Sequence, residues 1–558
     1  MRFVRCGRGE RDKPDIPQQT RSSHGGCGIV GHAGEYARCC AGGNLRFGWS
    51  VARTIYAWAV NRRTGAVMEH AVDYDVIVVG AGISGINAAY RLQETDPALS
   101  YAILEARDNL GGTWDLFRYP GIRSDSDMYT LGFPFEPWTG GKSIADGADI
   151  LDYLKATVSK YAIDQRIRFG HKVTHFSWRS SEECWIVTVN TPEGEKQLRS
   201  RFIYLASGYY SYETPYRPEF IGEDSFAGQI IHPQFWPDDL DYRGKRIVVI
   251  GSGATAVTLV PALTRGGAEH VTMVQRTPSY FLPLPDTAPT PGPIARRLSQ
   301  QRAHSVARWR NAVQTVGFYQ FSRRAPGLAS KMLRGAARRT VGETYDDRDF
   351  TPPYQPWDQR LCIIPNGDFF HSLRKGDASI VTDTIEEFRP EGIHTTGGTV
   401  IKADIVVTAT GLTIEFAGGA TFDIDGESLQ ISDRFVYRGC MLEGAPNLGL
   451  AVGYVNASWT LRADLSARFF SRVVDHTRRT GKAAFVPRPT GAMEARPFLD
   501  LASGYVQRAS GSLPKSGDRA PWLVRQNYLL DAVEIRRATM DDDLDYVARA
   551  QTREGLRS

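Results

Sequence analysis

The sequence is 558 residues long, 42% hydrophobic and 23% charged, with a formal net charge of +5. That length holds two or three domains with sizeable cores, and the composition is that of a globular protein, not of a disordered or collagen-like chain. No run of 18 apolar residues occurs, which excludes a bilayer-spanning helix, and no nucleic-acid partner is expected.

In chain order, residues 1–67 stand apart. They hold 11 Lys/Arg against four Asp/Glu, which leaves the remainder at 56 against 58, and they carry Cys6, Cys27, Cys39 and Cys40 of the seven cysteines. Three readings compete. An Arg-rich targeting peptide lacks an ordered n-region and h-region. A metal site from His24, Cys27, His32, Cys39 and Cys40 lacks paired C-x-x-C spacing. The favoured reading is that residues 1–68 are a disordered or non-native extension, with Met68 opening the working protein; mass measurement of the native N-terminus tests it. The other cysteines, Cys184, Cys362 and Cys440, are widely spaced, which suits a reducing compartment and a cytoplasmic location.

DVIVVGAGISGINAAYRLQE, from Asp75, reads as strand, tight turn and helix. Gly80 permits the turn, Gly82 lets backbone approach a pyrophosphate, and Gly85 lets helix and strand pack closely. The N–H groups at the helix start then face phosphates. YAILEAR supplies a second strand ending in Glu105, whose carboxylate accepts from ribose hydroxyls and repels a 2′-phosphate. The site therefore suits FAD or NAD.

LGGTWDLFRYPGIRSDSDMYTLGFPF follows. Gly111 and Gly112 allow close approach to a flat ring, Thr113 offers polar contacts and Trp114 apolar cover. Asp125 is a carboxylate in an enclosed stretch, so a cationic partner is expected for it. IYLASG at 203–208 closes this first nucleotide-binding half.

FAGQIIHPQFWP runs from Phe226 to Pro237, and GKRIVVIGSGATAVTLVPAL then repeats strand, turn and helix with Gly251, Gly253 and Ala256. The next strand ends in Gln275-Arg276-Thr277 where the first site has Glu105. An arginine plus a hydroxyl in place of an acid favours a 2′-phosphate. The contrast assigns FAD to the first turn and NADPH to the second.

Residues 285–340 contain 11 Lys/Arg and one Asp, among Trp309, Phe318, Tyr319 and Phe321. They are expected to form a helical insertion that covers a substrate cavity, with peripheral contact to anionic lipid at the inner face of the cell membrane as a second expectation. ADIVVTATG at 403–411 reads as a return strand, and GYVNASWTL places Asn456, Ala457 and Ser458 at a helix start, as caps or facing a flavin edge.

The expected fold is α/β: two Rossmann-like dinucleotide-binding domains, for FAD and NADP, with a helical insertion in the NADP domain. The boundaries are 69–212 and 405–558 for the two parts of the FAD domain, 213–279 and 346–404 for those of the NADP domain, and 280–345 for the insertion.

Two segments carry a family resemblance. FAGQIIHPQFWP fits F-x-G-x-x-x-H-x-x-x-W-P through Phe226, Gly228, His232 and Trp236, and Gly111 to Asp125 fits a second pattern of the same family. The chain from about residue 73 onward resembles the type I Baeyer–Villiger flavin monooxygenases. GGTWDLFRYPGIRSDSDMYTLGF, PWDQRLCIIPNGDFF and GYVNASWTL are most similar to the ethionamide-activating branch. The resemblance implies that NADPH reduces FAD and that O2, held as a C4a-peroxyflavin, inserts one oxygen into a ketone to give an ester or lactone, with sulfur compounds such as thioamides also oxidised. It places the catalytic arginine on Arg360 and its carboxylate partner on Asp125. It places FAD contacts on Gly80, Gly82, Ser84, Gly85, Glu105, Thr113, Trp114, Asp115, Leu116, Asp125 and Val173. NADP contacts fall on Arg123, Ser124, Gly251, Ser252, Gly253, Ala254, Thr255, Ala256, Val257, Gln275 and Arg276. His232 couples the two domains in this reading, and Gln359 stands where the family often has Lys.

Three other functions compete. A flavin N/S-monooxygenase with little ketone activity is disfavoured by Trp236, where such enzymes usually carry Tyr or Phe. A pyridine-nucleotide disulfide reductase needs a redox C-x2–4-C pair, and residues 68–558 contain none. A redox-sensing module would bind both nucleotides without consuming O2.

Overall fold

The computed structural model describes residues 71–287 and 298–549. The readings of residues 1–68, the metal site and the Met68 start included, lie outside the described residues.

The first sheet grows from β1 (Tyr74–Val79), whose YDVIVV run is buried at four successive positions because both faces are covered. Helix α1 (Ile83–Thr95) follows directly and packs Ile86, Ala89 and Leu92 inward. β2 (Tyr101–Leu104) lies parallel to β1, with Val78 opposite Ile103. Between β2 and β3 (Ile167–Arg168) come two short helices, α2 (Thr113–Leu116) and α3 (Met128–Leu131), and a longer one over Gly147–Lys160. β4 (Lys172–Arg179), β5 (Cys184–Thr191) and β6 (Gly194–Leu205) form an antiparallel meander. The last residues of β6 leave the meander and run parallel to β1, with Leu205 opposite Val79. One long strand thus joins the meander to the parallel core.

The second sheet is parallel throughout. It contains β7 (Gln229–Ile231), β8 (Arg246–Ile250), β9 (His270–Gln275), β12 (Ala378–Thr382) and β13 (Ile405–Thr408), in the order β12–β9–β8–β13–β7. Helix α4 (Ala254–Arg265) follows β8 as α1 follows β1. Between β9 and β12 the chain makes a separate parallel pair, β10 (Phe281–Leu284) with β11 (Cys362–Pro365). This placement corrects one expected boundary. Ile405–Thr408 is hydrogen-bonded between β8 and β7, so the second sheet extends past residue 404. A short, wholly buried β-branched run has no polar face, so its pattern does not say which of two parallel sheets takes it. The chain returns to the first sheet later, where β14 (Leu448–Leu450) pairs with β6.

Two long helices, α5 (Gln300–Arg324) and α6 (Pro326–Val341), stand between β10 and β11, followed by a single turn of helix over Asp347–Phe350. α5 docks on α3. Buried Arg308 donates from Nη1 to the carbonyl oxygens of Tyr129 (2.9 Å), Thr130 (3.0 Å) and Gly132 (2.7 Å), and Asn311 Nδ2 donates to Asp127 (2.8 Å). A guanidinium there satisfies carbonyls at the end of α3 that the helix itself leaves unpaired. Helix α7 (Asp368–Lys375) follows β11. α8 (Trp459–Arg479) packs along α1, where buried Arg91 pairs with Asp464 at 2.7 Å. α9 (Tyr528–Arg537), capped by the Asn527 side chain, lies beside α5.

Candidate functional site

A cavity of about 930 Å³ opens at the carboxyl ends of β1 and β6, where open α/β sheets bind ligands. Its walls are the β1–α1 turn, Glu105 at the end of β2, the Gly111–Trp114 stretch, Asp125, the aromatic run Tyr209–Tyr212, Ala254 at the start of α4, Arg360 and Trp459.

The first turn is built as the glycine pattern expects. Gly80 has φ +101°, and a Cβ on Gly85 would stand 1.9 Å from the Gly80 carbonyl oxygen, so only glycine lets α1 start so close to β1. Gly82 and Gly112 face each other across the cavity wall, a Cβ on Gly82 lying 3.6 Å from the Gly112 Cα. No side chain caps the N-terminus of α1, whose N–H groups are free to meet phosphate oxygens. Buried Glu105 accepts from the Ala81 N–H at 2.7 Å and from the Arg107 N–H at 3.0 Å. Burial raises its carboxyl above the ordinary pKa, and those two donors partly offset the rise. A glycine-walled slot with a free helix N-terminus and a buried carboxylate fits an adenine dinucleotide such as FAD.

The other expected FAD contacts divide. Ser84, Thr113, Trp114, Leu116 and Val173 line the cavity. Ser84 Oγ accepts from the Trp459 indole at 2.8 Å, and Thr113 Oγ1 lies 2.7 Å from the Tyr210 hydroxyl. Asp115 is buried outside the lining and pairs with Arg107 at 2.8 Å.

Of the second turn, Ala254 lines the cavity. Gly251 (φ +126°) presses on β13, a Cβ there lying 2.3 Å from the Ala409 carbonyl oxygen, whereas a Cβ on Gly253 would meet no atom within 4 Å. That open side suits an approaching diphosphate. Ser252 Oγ is held at 2.9 Å from the Thr277 carbonyl and from Ser279 Oγ. Thr255 reaches the Tyr119 phenol, which burial pushes up to about 12, and Ala256 and Val257 are buried against the sheet.

Gln275 is fully buried, its amide nitrogen donating to the Asp349 carbonyl (2.9 Å) and to Thr382 Oγ1 (2.8 Å), so its two N–H donors are engaged within the protein, while its Oε1 has no hydrogen-bond partner among the described residues. Arg276 is exposed and has no ion pair among the described residues. Arg123 lines the cavity but forks onto Asp368 at 2.6 and 3.3 Å. Ser124 is buried and accepts from the Ala145 N–H at 3.1 Å.

Arg360 and Asp125 meet in the cavity wall at 3.1 Å. Their side chains are 38% and 47% exposed, and that exposure is to the cavity. The Asp125 carboxylate raises the guanidinium further above its ordinary pKa, burial opposes this, and the Tyr505 and Tyr209 phenols add to the rise. The arginine therefore keeps its charge at any physiological pH. Beside it, burial pushes the Cys362 thiol up to about 12, leaving it protonated.

The FAGQIIHPQFWP segment braces the two halves and stays out of the cavity wall except for Phe235. A Cβ on Gly228 would lie 2.3 Å from the Asp404 carbonyl, so the chain lies flush against the strand beside it, while Phe226 packs on Phe388 and Trp236 on Tyr242. Burial lowers His232 to about 4, so it is neutral, and its Nδ1 accepts from the Gln234 N–H at 3.2 Å. Gln234 donates in turn to the carbonyls of Ser211 (3.0 Å) and Tyr212 (2.9 Å), tying the segment to the cavity's aromatic wall.

Two expectations need correction. No residue of α5 or α6 lines this cavity; α5 docks on α3 through Arg308 and reaches the segment before Arg360, where Tyr319 meets Trp357 and Arg323 pairs with Asp358 at 2.7 Å. At the start of α8, Asn456 donates to the Gln526 carbonyl and Ser458 meets Thr130, so the residue that reaches the cavity is Trp459. Sequence reasoning also passed over Tyr209, Tyr210 and Tyr212. Their place directly after a buried strand, at its carboxyl end, was the available indication. Tyr505 gave none.

Set against known proteins, residues 77–286 match the family described as pyridine nucleotide-disulphide oxidoreductase. Among the described residues the cysteines are buried and unbonded, so the match marks the nucleotide-binding architecture without a redox disulfide. The FAD-containing monooxygenase EthA of Mycobacterium tuberculosis is 50% identical over 471 residues, which cover 84% of this chain and 96% of that protein. Two solved structures share the fold. Cyclohexanone monooxygenase with bound epsilon-caprolactone is 20% identical, with TM-score 0.67, over 85% of this chain and 99% of that one. OTEMO in complex with FAD and NADP is 22% identical, with TM-score 0.61, over 75% and 88%.

Proposed function

This chain belongs to the FAD-containing monooxygenase family, and from that premise we propose that it is a Baeyer–Villiger enzyme dependent on NADPH and O2. The balanced reaction takes a ketone, O2, NADPH and a proton to an ester or lactone, NADP+ and water. FAD, when bound, passes the electrons of NADPH to O2 and supplies the activated oxygen.

The observation that carries this reading is the Arg360–Asp125 pair in the wall of the cavity that the first glycine turn lines. As the ketone carbonyl is attacked, its oxygen gains negative charge. Arg360 meets that charge with the N–H donors that Asp125 leaves free and cannot itself give up a proton at neutral pH. Asp125 orients the guanidinium and offsets the cost of placing it away from bulk water. Trp459, stacked on Tyr209 at 5.0 Å, covers the neighbouring wall with apolar surface. Sulfur compounds such as thioamides are proposed as further substrates of the same site.

Product analysis with a ketone panel and a thioether under ¹⁸O2 tests the reading. An ester or lactone labelled in one oxygen is expected; sulfoxide with no ester would favour a flavin N/S-monooxygenase instead.

The proposed choice of NADPH rests on Arg276. Arg276→Ala is expected to raise KM for NADPH by about 10- to 100-fold, the worth of one charge-assisted hydrogen bond, while KM for NADH stays unchanged. Equal changes with both coenzymes would remove Arg276 from the 2′-phosphate.

A further inference from the structure

The basic insert carries a surface that oxygen transfer does not use. On α5 the buried stripe is His304, Arg308, Ala312 and Val316. Val306, Trp309 and Val313, at i, i+3 and i+7, face the other way. Beside them α9 presents Leu530 and Val533, and its Tyr528 ring stands 5.4 Å from that of Trp309. These five apolar side chains are 37% to 55% exposed. Two helices far apart in sequence thus show apolar stripes side by side, a grouping that marks an interaction surface more often than scattered exposure does.

Charge indicates what covers it. α5 is 25 residues long and contains no Asp or Glu. Arg302 and Arg310 flank its stripe, Arg536 and Arg537 close α9, and Arg536 stands 5.8 Å from the Trp309 ring. None of these four has an ion pair among the described residues. The acids of α9 are engaged elsewhere, Asp531 with Arg462 and Glu534 with Arg438 and Arg525. A second copy of the chain on this face would set like charges against each other, whereas lipid phosphates complement them. Tryptophan and arginine beside aliphatic side chains are what the headgroup–acyl boundary accommodates.

We propose that α5 and α9 together form a docking surface for an anionic phospholipid bilayer, seating the enzyme peripherally on it. This goes beyond the oxygen-transfer reading and does not depend on it. Full-length holoenzyme would be sedimented with vesicles of phosphatidylcholine alone and of phosphatidylcholine mixed with phosphatidylglycerol. Binding to the anionic vesicles only is expected, weakening as salt is added. Arg302→Gln and Arg310→Gln should each weaken binding about fivefold, the worth of one cation at an anionic surface. The double variant Val306→Asp, Val313→Asp should abolish it. All of these variants should keep bound FAD and turnover of a water-soluble ketone, because none of the residues lines the cavity. No sedimentation, equal sedimentation with neutral vesicles, or undiminished binding by the arginine variants would overturn the proposal. So would self-association of the parent protein that the aspartate variants abolish without any vesicle binding.

Discussion

Arg360→Ala is expected to keep its FAD and to lose about 10²–10³-fold in the rate of ester formation, the cost of deleting one preorganised donor from an oxyanion site. Flavin content should hold because the groups that act on Arg360 are Asp125, Tyr209, Tyr505 and Cys362, and not the Gly80–Gly85 turn, Glu105 or the α1 N-terminus that shape the dinucleotide slot. The loss should appear in kcat more than in KM, since the charge acts on an oxyanion that exists only as the carbonyl is attacked. Arg360→Lys should recover little, because a point charge does not reproduce the guanidinium fork oriented by Asp125 at 3.1 Å. Steady-state kinetics with a ketone, together with the flavin absorbance of each purified variant, check this. Near-normal ester formation by the alanine variant would remove the arginine from the chemistry.

The second large effect is on holding the cofactor. Gly85→Ala would set a Cβ 1.9 Å from the Gly80 carbonyl oxygen, with Val78 Cγ1 at 3.5 Å. The obstructing atom is backbone in the turn itself, so no flexible side chain can give way. Either α1 moves off β1 or the turn opens, at about 3 kcal/mol, the upper end for an overpacked core. Both movements draw the helix N-terminus away from a bound diphosphate, so FAD binding should weaken about 100-fold. Purified Gly85→Ala should contain little flavin and melt at lower temperature. Gly253→Ala is the informative contrast: its Cβ meets nothing within 4 Å, so it should fold normally and keep FAD, yet raise KM for NADPH. A flavin-replete Gly85→Ala would contradict the geometry of the first turn.

Local chemistry made both turns and the need of Asp125 for a cation readable from sequence. A Gly-x-Gly-x-x-Gly run between a β-branched strand and an Ala-rich helix states its own backbone constraints, and an enclosed carboxylate implies a partner. What escaped depends on contacts between distant segments. Ile405–Thr408 carries no mark of which sheet it joins, because a strand buried on both faces has no polar side to orient it. α5 reads as amphipathic and basic, which suits a cavity lid as well as a surface helix; only the three carbonyls around Arg308 show where it docks. Gln275 and Arg276 are adjacent in sequence, but Gln275 is the last residue of β9 and buried like the four before it, whereas Arg276 stands just past the end of the strand and is exposed. Tyr505 approaches Arg360 from a C-terminal segment with no motif of its own.

In the proposed reaction one charged side chain, that of Arg360, steers oxygen into a carbonyl. The direct test is the partition of consumed NADPH between ester and hydrogen peroxide, measured in one reaction for the parent enzyme and for Arg360→Ala. The parent should turn nearly all of it into ester, and the variant should divert it to peroxide while still oxidising NADPH. An unchanged ratio of ester to peroxide in the variant would contradict the account.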